Sequence, residues 1–226
     1  GTDVSGLSAA AVAAVNLGNL TGAQLGALSA PQLASVTASQ VTALTGAQVT
    51  ALGTDVAGLS ASAVGGLSAT QVDALSAAQV GALGASLSGL TNVAMASLDA
   101  SQFAGISAAG LGALSLTQFN ALMGTGPERV AALTAAQVDG LTPAEVGALG
   151  NRVASLSVAA LGSLDAGQLS NATLNALSAT QLGALTAAQL GGVTPEQAMS
   201  LTATQLQALG TDVSGLSAAA VAAVNL

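Results

Sequence analysis

A polar residue able to begin a helix returns every eight positions along most of this chain, and that period limits what the chain can fold into. The unit is Ser or Thr, two variable residues, Gln, Val or Leu, a variable residue, Ala, then Leu. It reads TASQVTAL at 37–44, TGAQVTAL at 45–52 and SAAQVGAL at 76–83, and four octets run consecutively from 178 to 209. Ser/Thr-x-x-Gln is a capping box: the hydroxyl accepts from the backbone N–H three residues on, and the Gln reaches back to the N–H of the cap. The pairs are Thr21 with Gln24, Thr37 with Gln40, Thr45 with Gln48, Ser68 with Gln71, Ser76 with Gln79, Thr134 with Gln137, Thr186 with Gln189 and Thr202 with Gln205. Asp99 with Gln102 and Asp165 with Gln168 use Asp as the cap, while Pro143 and Pro195 fall at the first helical position, where Pro is favoured.

One long helix does not fit this pattern. Eight residues at 100° each leave the apolar set turned by about 80° per unit, so Val and Leu would spiral around the rod. A fresh cap every eight residues also implies a fresh start. The expected unit is therefore about two turns of helix, a sharp bend, and the next cap. Helices this short do not stand alone and must be held by neighbours, as in a solenoid. The expected fold is an all-α solenoid. Its inner ladders are the fifth-position residues Val41, Val49, Val72 and Val80 and the closing residues Leu44, Leu52, Leu75 and Leu83. A β-solenoid is the alternative, since it too uses short repeats with Gly, Ser and Thr. Modest β-branched content and the lack of strict alternation count against it.

The array spans 1–226 and carries a second unit, one residue shorter and opening with Gly, at 53–59, 84–90 and 150–156. It reads as a corner or register change. Apparent breaks fall near 16–20, 123–127 and 171–174. Residues 1–17 and 210–226 are identical, which implies a superrepeat of 210 − 1 = 209 residues. A tandem array, a window on a continuing polymer, or a designed or trimmed chain would each give this identity. With no initiator Met and no signal peptide, the chain reads as part of something longer.

Composition narrows the chemistry. Charged residues are 5% of the chain, and there is no His, Cys, Trp, Tyr or Lys. Nucleic-acid binding needs clustered cations, and this chain has only Arg129 and Arg152. Mean hydropathy is +0.70, but polar residues or Gly interrupt every few positions, so no membrane span is expected. The Ser and Thr have no His, Cys or Lys to act as base, and their spacing marks them as caps. No cofactor, metal or catalytic residue is expected. Asp3, Asp55 and Asp212 share a Gly-Thr-Asp-Val context. Stacked rows of Asp could bind Ca²⁺, but a calcium loop offers several oxygens and this one offers a single Asp, so a helix-start role is the simpler reading. Glu128 with Arg129 suggests a local ion pair or a solvated loop. Met95, Met123, Met199, Phe103 and Phe119 are expected to fill the core. Asn19 and Asn171 match the N-glycosylation pattern at the frequency expected by chance.

The segments LTAAQVDGL at 133–141 and LTAAQLGGV at 185–193 resemble the low-complexity repeat regions of very large bacterial cell-surface and secreted, adhesin-like proteins. The resemblance covers nearly the whole chain through a short, simple motif. It implies an extracellular or cell-surface location and a stalk or fibre serving a coat, attachment or biofilm matrix. From the residues themselves, a sparsely charged surface favours association with further copies. The expected partner is the chain itself, head-to-tail or lateral. The alternative is a binding solenoid presenting Ser and Thr rows to a polysaccharide, a surface or ice.

Overall fold

The computed structural model describes residues 3–164 and 166–224, with backbone only at Gln168. The described residues form short α-helices and 3-10 helices, with no strand among them. The fold is an all-α, solenoid-like array, and the β alternative finds no support. Two compact units divide between Gly124 and Thr125.

Most octets fold alike, although the helices Ala77–Leu83, Leu116–Met123 and Pro143–Leu149 run on through the closing Leu. Thr37 is extended (φ −95°, ψ 161°) and caps the helix Ala38–Thr42. The N–H of the closing Leu44 then returns to the Val41 carbonyl at 3.1 Å, which tightens the last turn and ends the helix. Leu52 to Val49 and Leu75 to Val72 repeat this bond. Where another octet follows, as at Thr45 after Leu44 and Ser76 after Leu75, the next residue is again an extended cap, so the chain turns a corner after eight residues. The α segments are four to eight residues long, one to two turns.

Helices of this length gain their stability from packing, and the packing follows one rule. In both units, each pair of non-consecutive sides that packs extensively is three sides apart. Ala38–Thr42 lies on Ala61–Val64, Gly46–Ala51 on Ala69–Asp73, and Ala77–Leu83 on both Gly53–Gly58 and Ala100–Gly105. In the second unit, Ala135–Asp139 lies on Val158–Leu161 and Asn171–Ala176 on Pro195–Ser200. Three sides therefore complete one coil, and about 24 residues separate stacked positions. Val41, Val49, Val72, Val80, Leu44, Leu52, Leu75 and Leu83 are all buried, with no more than 5% of their surface exposed. Burying each such side chain contributes roughly 1.5–3 kcal/mol.

The Gly units are sides, not corners alone. Gly53–Gly58, Gly84–Gly89, Gly150–Ser155 and Gly210–Gly215 are 3-10 helices. Each opens on a Gly with φ between 50° and 58°, a conformation that replaces the Ser/Thr cap and favours Gly. The apparent breaks are also sides. Asn16 caps the 3-10 helix Leu17–Asn19, and Ser170 caps the helix Asn171–Ala176 with Thr173 in the place of Gln. Residues 123–127 instead fall where the two units divide.

Met95, Met123, Phe103 and Phe119 are buried, but Met199 is 66% exposed. In its octet the inward fifth position belongs to Ala198, which is fully buried. Met199 occupies the outward sixth position, where Thr42 and Thr50 also stand exposed. Glu128 and Arg129 open the helix Glu128–Ala131 and do not lie in a loop.

Stacked backbones come very close where a side bears Gly. A Cβ on Gly66 would run into the backbone of Ala38, one coil earlier, whereas Gly147 has open space around it. Gly66→Ala should destabilise the fold by about 2–3 kcal/mol through overpacking. Gly147→Ala, in a helix interior, should be neutral or stabilising by up to about 1 kcal/mol. Thermal melts followed by circular dichroism would separate the two.

Candidate functional site

The chemistry of this chain concentrates at the corners of the coil. Thr21 and Gln24 stand at the N-cap and third position of Gly22–Leu25, Thr37 and Gln40 of Ala38–Thr42, and Thr45 and Gln48 of Gly46–Ala51. Ser68 and Gln71 do so on Ala69–Asp73, and Ser76 and Gln79 on Ala77–Leu83. Thr134 and Gln137 open Ala135–Asp139, Thr186 and Gln189 open Ala187–Leu190, and Thr202 and Gln205 open Ala203–Ala208. Both bonds of the capping box are present in each. Asp99 and Gln102 form one as well. The pair Asp165 and Gln168 lies outside the described residues.

The Gln does more than close the box. The Gln71 Oε1 accepts the Ser68 N–H at 2.8 Å, while its Nε2 donates to the Val41 carbonyl at 2.9 Å and the Leu44 carbonyl at 2.7 Å. Those carbonyls end the helix that forms the corner one coil earlier. Gln102 repeats the arrangement on Val72 and Leu75, both at 2.7 Å. Gln40 reaches Val12, Ala13 and Val15, and Gln79 reaches Val49, Thr50 and Gly53. In the second unit, Gln181, Gln189 and Gln205 reach the ends of sides 25 to 30 residues earlier, and Gln197 reaches Leu169. One side chain thus satisfies an orphan donor at the start of one helix and orphan acceptors at the end of another. The capping pattern is legible in the octet, but this second function is not, because its partners are set by the coil.

The hydroxyls are engaged too. The Thr37, Thr45 and Thr186 hydroxyls accept from the backbone N–H of the Gln and donate to its Oε1 at 3.0–3.2 Å. The sixth-position residues Thr42 and Thr50 donate to Gly66 and Ala74, 24 residues ahead. Asp55 and Asp212 each accept the backbone N–H of the residue 25 positions earlier, Ala30 at 3.1 Å and Ala187 at 3.2 Å. Asp3 accepts the Ser5 hydroxyl at 2.6 Å and the Ser5 N–H at 2.9 Å, which hold its carboxyl below its usual value. No group of three acids converges among the described residues. Arg152 covers the carbonyls of Ala148 and Leu149 at the end of Pro143–Leu149. No described helix is long and apolar enough to cross a membrane. Asn19 and Asn171 are exposed.

No protein-family model matches the chain, and no curated protein matches it either.

Glu145 shows what the site holds without an amide. It is buried, and its carboxylate accepts the Thr142 N–H at 2.7 Å and the Thr142 hydroxyl at 2.8 Å. Gln71→Glu should keep the cap but lose the tie to Val41 and Leu44. At pH 7 it would place a charge against two carbonyl oxygens, a loss of roughly 3 kcal/mol. That burial raises the folded pKa of the new carboxyl above the ~4.3 of the unfolded chain. Stability should therefore be fullest below about pH 4 and fall as pH rises through the folded pKa. Melts of the variant and the parent at pH 4 and pH 7 would test this, and an equal loss at both would contradict it.

Proposed function

We propose that this chain is a structural protein, a helical solenoid that associates with further copies of itself into a filament or surface stalk, without catalysis. The observation that carries the reading is the commitment of its polar side chains to the coil. Gln amides, cap hydroxyls and the carboxylates of Asp55 and Asp212 all bond backbone groups within or between coils. The remaining outward surface is small-residued and sparsely charged, which suits close lateral packing because few ions need to lose water. A location outside the cell, in a coat, an attachment fibre or a biofilm matrix, rests on the resemblance to surface repeat regions.

A hydroxyl face for polysaccharide, a surface or ice draws less support. The hydroxyls it needs already accept from and donate to the capping box. Replacing Thr37, Thr45 and Thr186 together by Ala should remove about 1 kcal/mol of stability per site. Loss of ligand binding with an unchanged melt would instead favour the binding solenoid.

Electron microscopy of the purified chain without ligand tests the main reading. Long uniform filaments are expected. Discrete monomers at high concentration would overturn it.

A further inference from the structure

In the second unit the glutamine amides reach back by a fixed four sides. Gln181 donates to Ala154 and Leu156, Gln189 to Leu161 and Leu164, Gln197 to Leu169, and Gln205 to Asn175 and Leu177. One side earlier in this series, the helix Pro143–Leu149 ends, and the side four on from it is Asn171–Ala176. The third position of that side is Thr173, not Gln. Thr173 is buried, and its hydroxyl lies 2.8 Å from the Ser170 hydroxyl. A Thr hydroxyl sits two bonds short of where a Gln carries its amide, so Thr173 closes its own cap and has no arm for the coil before.

Carbonyls at this helix end are met all the same. Arg152 Nε donates to Leu149 at 3.2 Å, and its Nη2 donates to Ala148 at 3.1 Å. Arg152 is the third residue of the 3-10 helix Gly150–Ser155, and Asn171–Ala176 packs on that same helix. The missing Gln and the arginine thus belong to stacked sides. Elsewhere the third residue of a Gly unit is used differently. At Gly53–Gly58 the amide is present, because Gln79 donates to Val49, Thr50 and Gly53. The third residue there is Asp55, which accepts the Ala30 N–H. At Gly84–Gly89 it is Ser86, whose hydroxyl donates to the Leu59 carbonyl at 2.9 Å.

We propose that Arg152 is the positioning residue of this corner and replaces the amide that position 173 lacks, so that 152 and 173 form a coupled pair. One long donor is needed, and either position can supply it. The planar guanidinium fork spans two carbonyls as a Gln amide does. Its charge strengthens both bonds and suits the negative end of a helix. The two solutions differ in one respect. A Gln holds the helix end from the next coil, whereas Arg152 holds it from the side that follows directly.

Assembly plays no part in this pairing, so its test is independent of the filament reading. Amide hydrogen exchange and thermal melts of the full chain would be compared across variants. The amide of Gly150 is the central probe, because it donates to the Gly147 carbonyl and closes the helix. Arg152→Met keeps the apolar stem and removes the donors. It should speed exchange at Gly150 by at least about tenfold and lower the melting temperature by about 5 °C. Adding Thr173→Gln should bring exchange back to within about threefold of the parent, as expected of coupled sites. Thr173→Gln alone should change little, since Arg152 already meets the carbonyls. Unchanged exchange in Arg152→Met would overturn the pairing. So would a double variant as open as Arg152→Met when Thr173→Gln alone folds like the parent. If Thr173→Gln does not fold, Arg152→Gln takes its place, because its Nε2 stands where the arginine Nε stood along the side chain. That variant should hold Gly150 within about threefold of the parent, and one as open as Arg152→Met would overturn the pairing.

Discussion

Everything in this molecule depends on a side chain that both accepts and donates at a helix corner. A helix of four to eight residues leaves at least as many unpaired backbone groups at its ends as it pairs within. Stacking such helices buries those ends, and each buried group left unmet costs about 1–3 kcal/mol. Gln at the third position meets both ends together. Its oxygen takes the cap N–H of its own helix, and its amide reaches carbonyls at the end of another, one coil earlier. Glu can do only the first, as Glu145 does. The array can therefore be built from helices far too short to exist alone.

The apolar core is thin, and the rest of the composition reflects that. Two inward residues per side, the fifth and the eighth, fill a coil of three sides. Where volume is needed, the fifth position takes Phe103, Phe119 or Met95 in place of Val or Leu. Between coils the backbones approach until Gly58, Gly66, Gly89 and Gly105 face the backbone of Ala, leaving no room for a Cβ. The high Ala and Gly content reflects this closeness. Packing at such density tolerates few volume changes.

Much of the local structure is readable in order along the chain. The Thr37, Thr45 and Ser76 octets announce where each helix starts, and Pro143 and Pro195 stand just inside their starts. Met199 departs from the core expected of a methionine because its position in the octet points outward, and position outweighs residue type. Residues 16–20 and 171–174 resemble interruptions because they lack the Gln signature. Asn16 and Ser170 nonetheless cap short helices there, so the side is kept while the sequence mark is lost. The role of Asp55 and Asp212 is hidden for a different reason: the N–H groups they accept lie 25 residues away, and no local pattern encodes that separation.

Sequence alone determined the period, the caps, the inward positions and the helical class, because each is set by interactions within eight residues. The tertiary structure decided that three sides close a coil and that the glutamine amides tie successive coils. Those outcomes depend on which corner lies against which, and that is set by the summed angles of successive corners. A difference of one residue per unit, such as the Gly units introduce, moves the whole later chain, so the stacking belongs to the assembled coil and to no single octet.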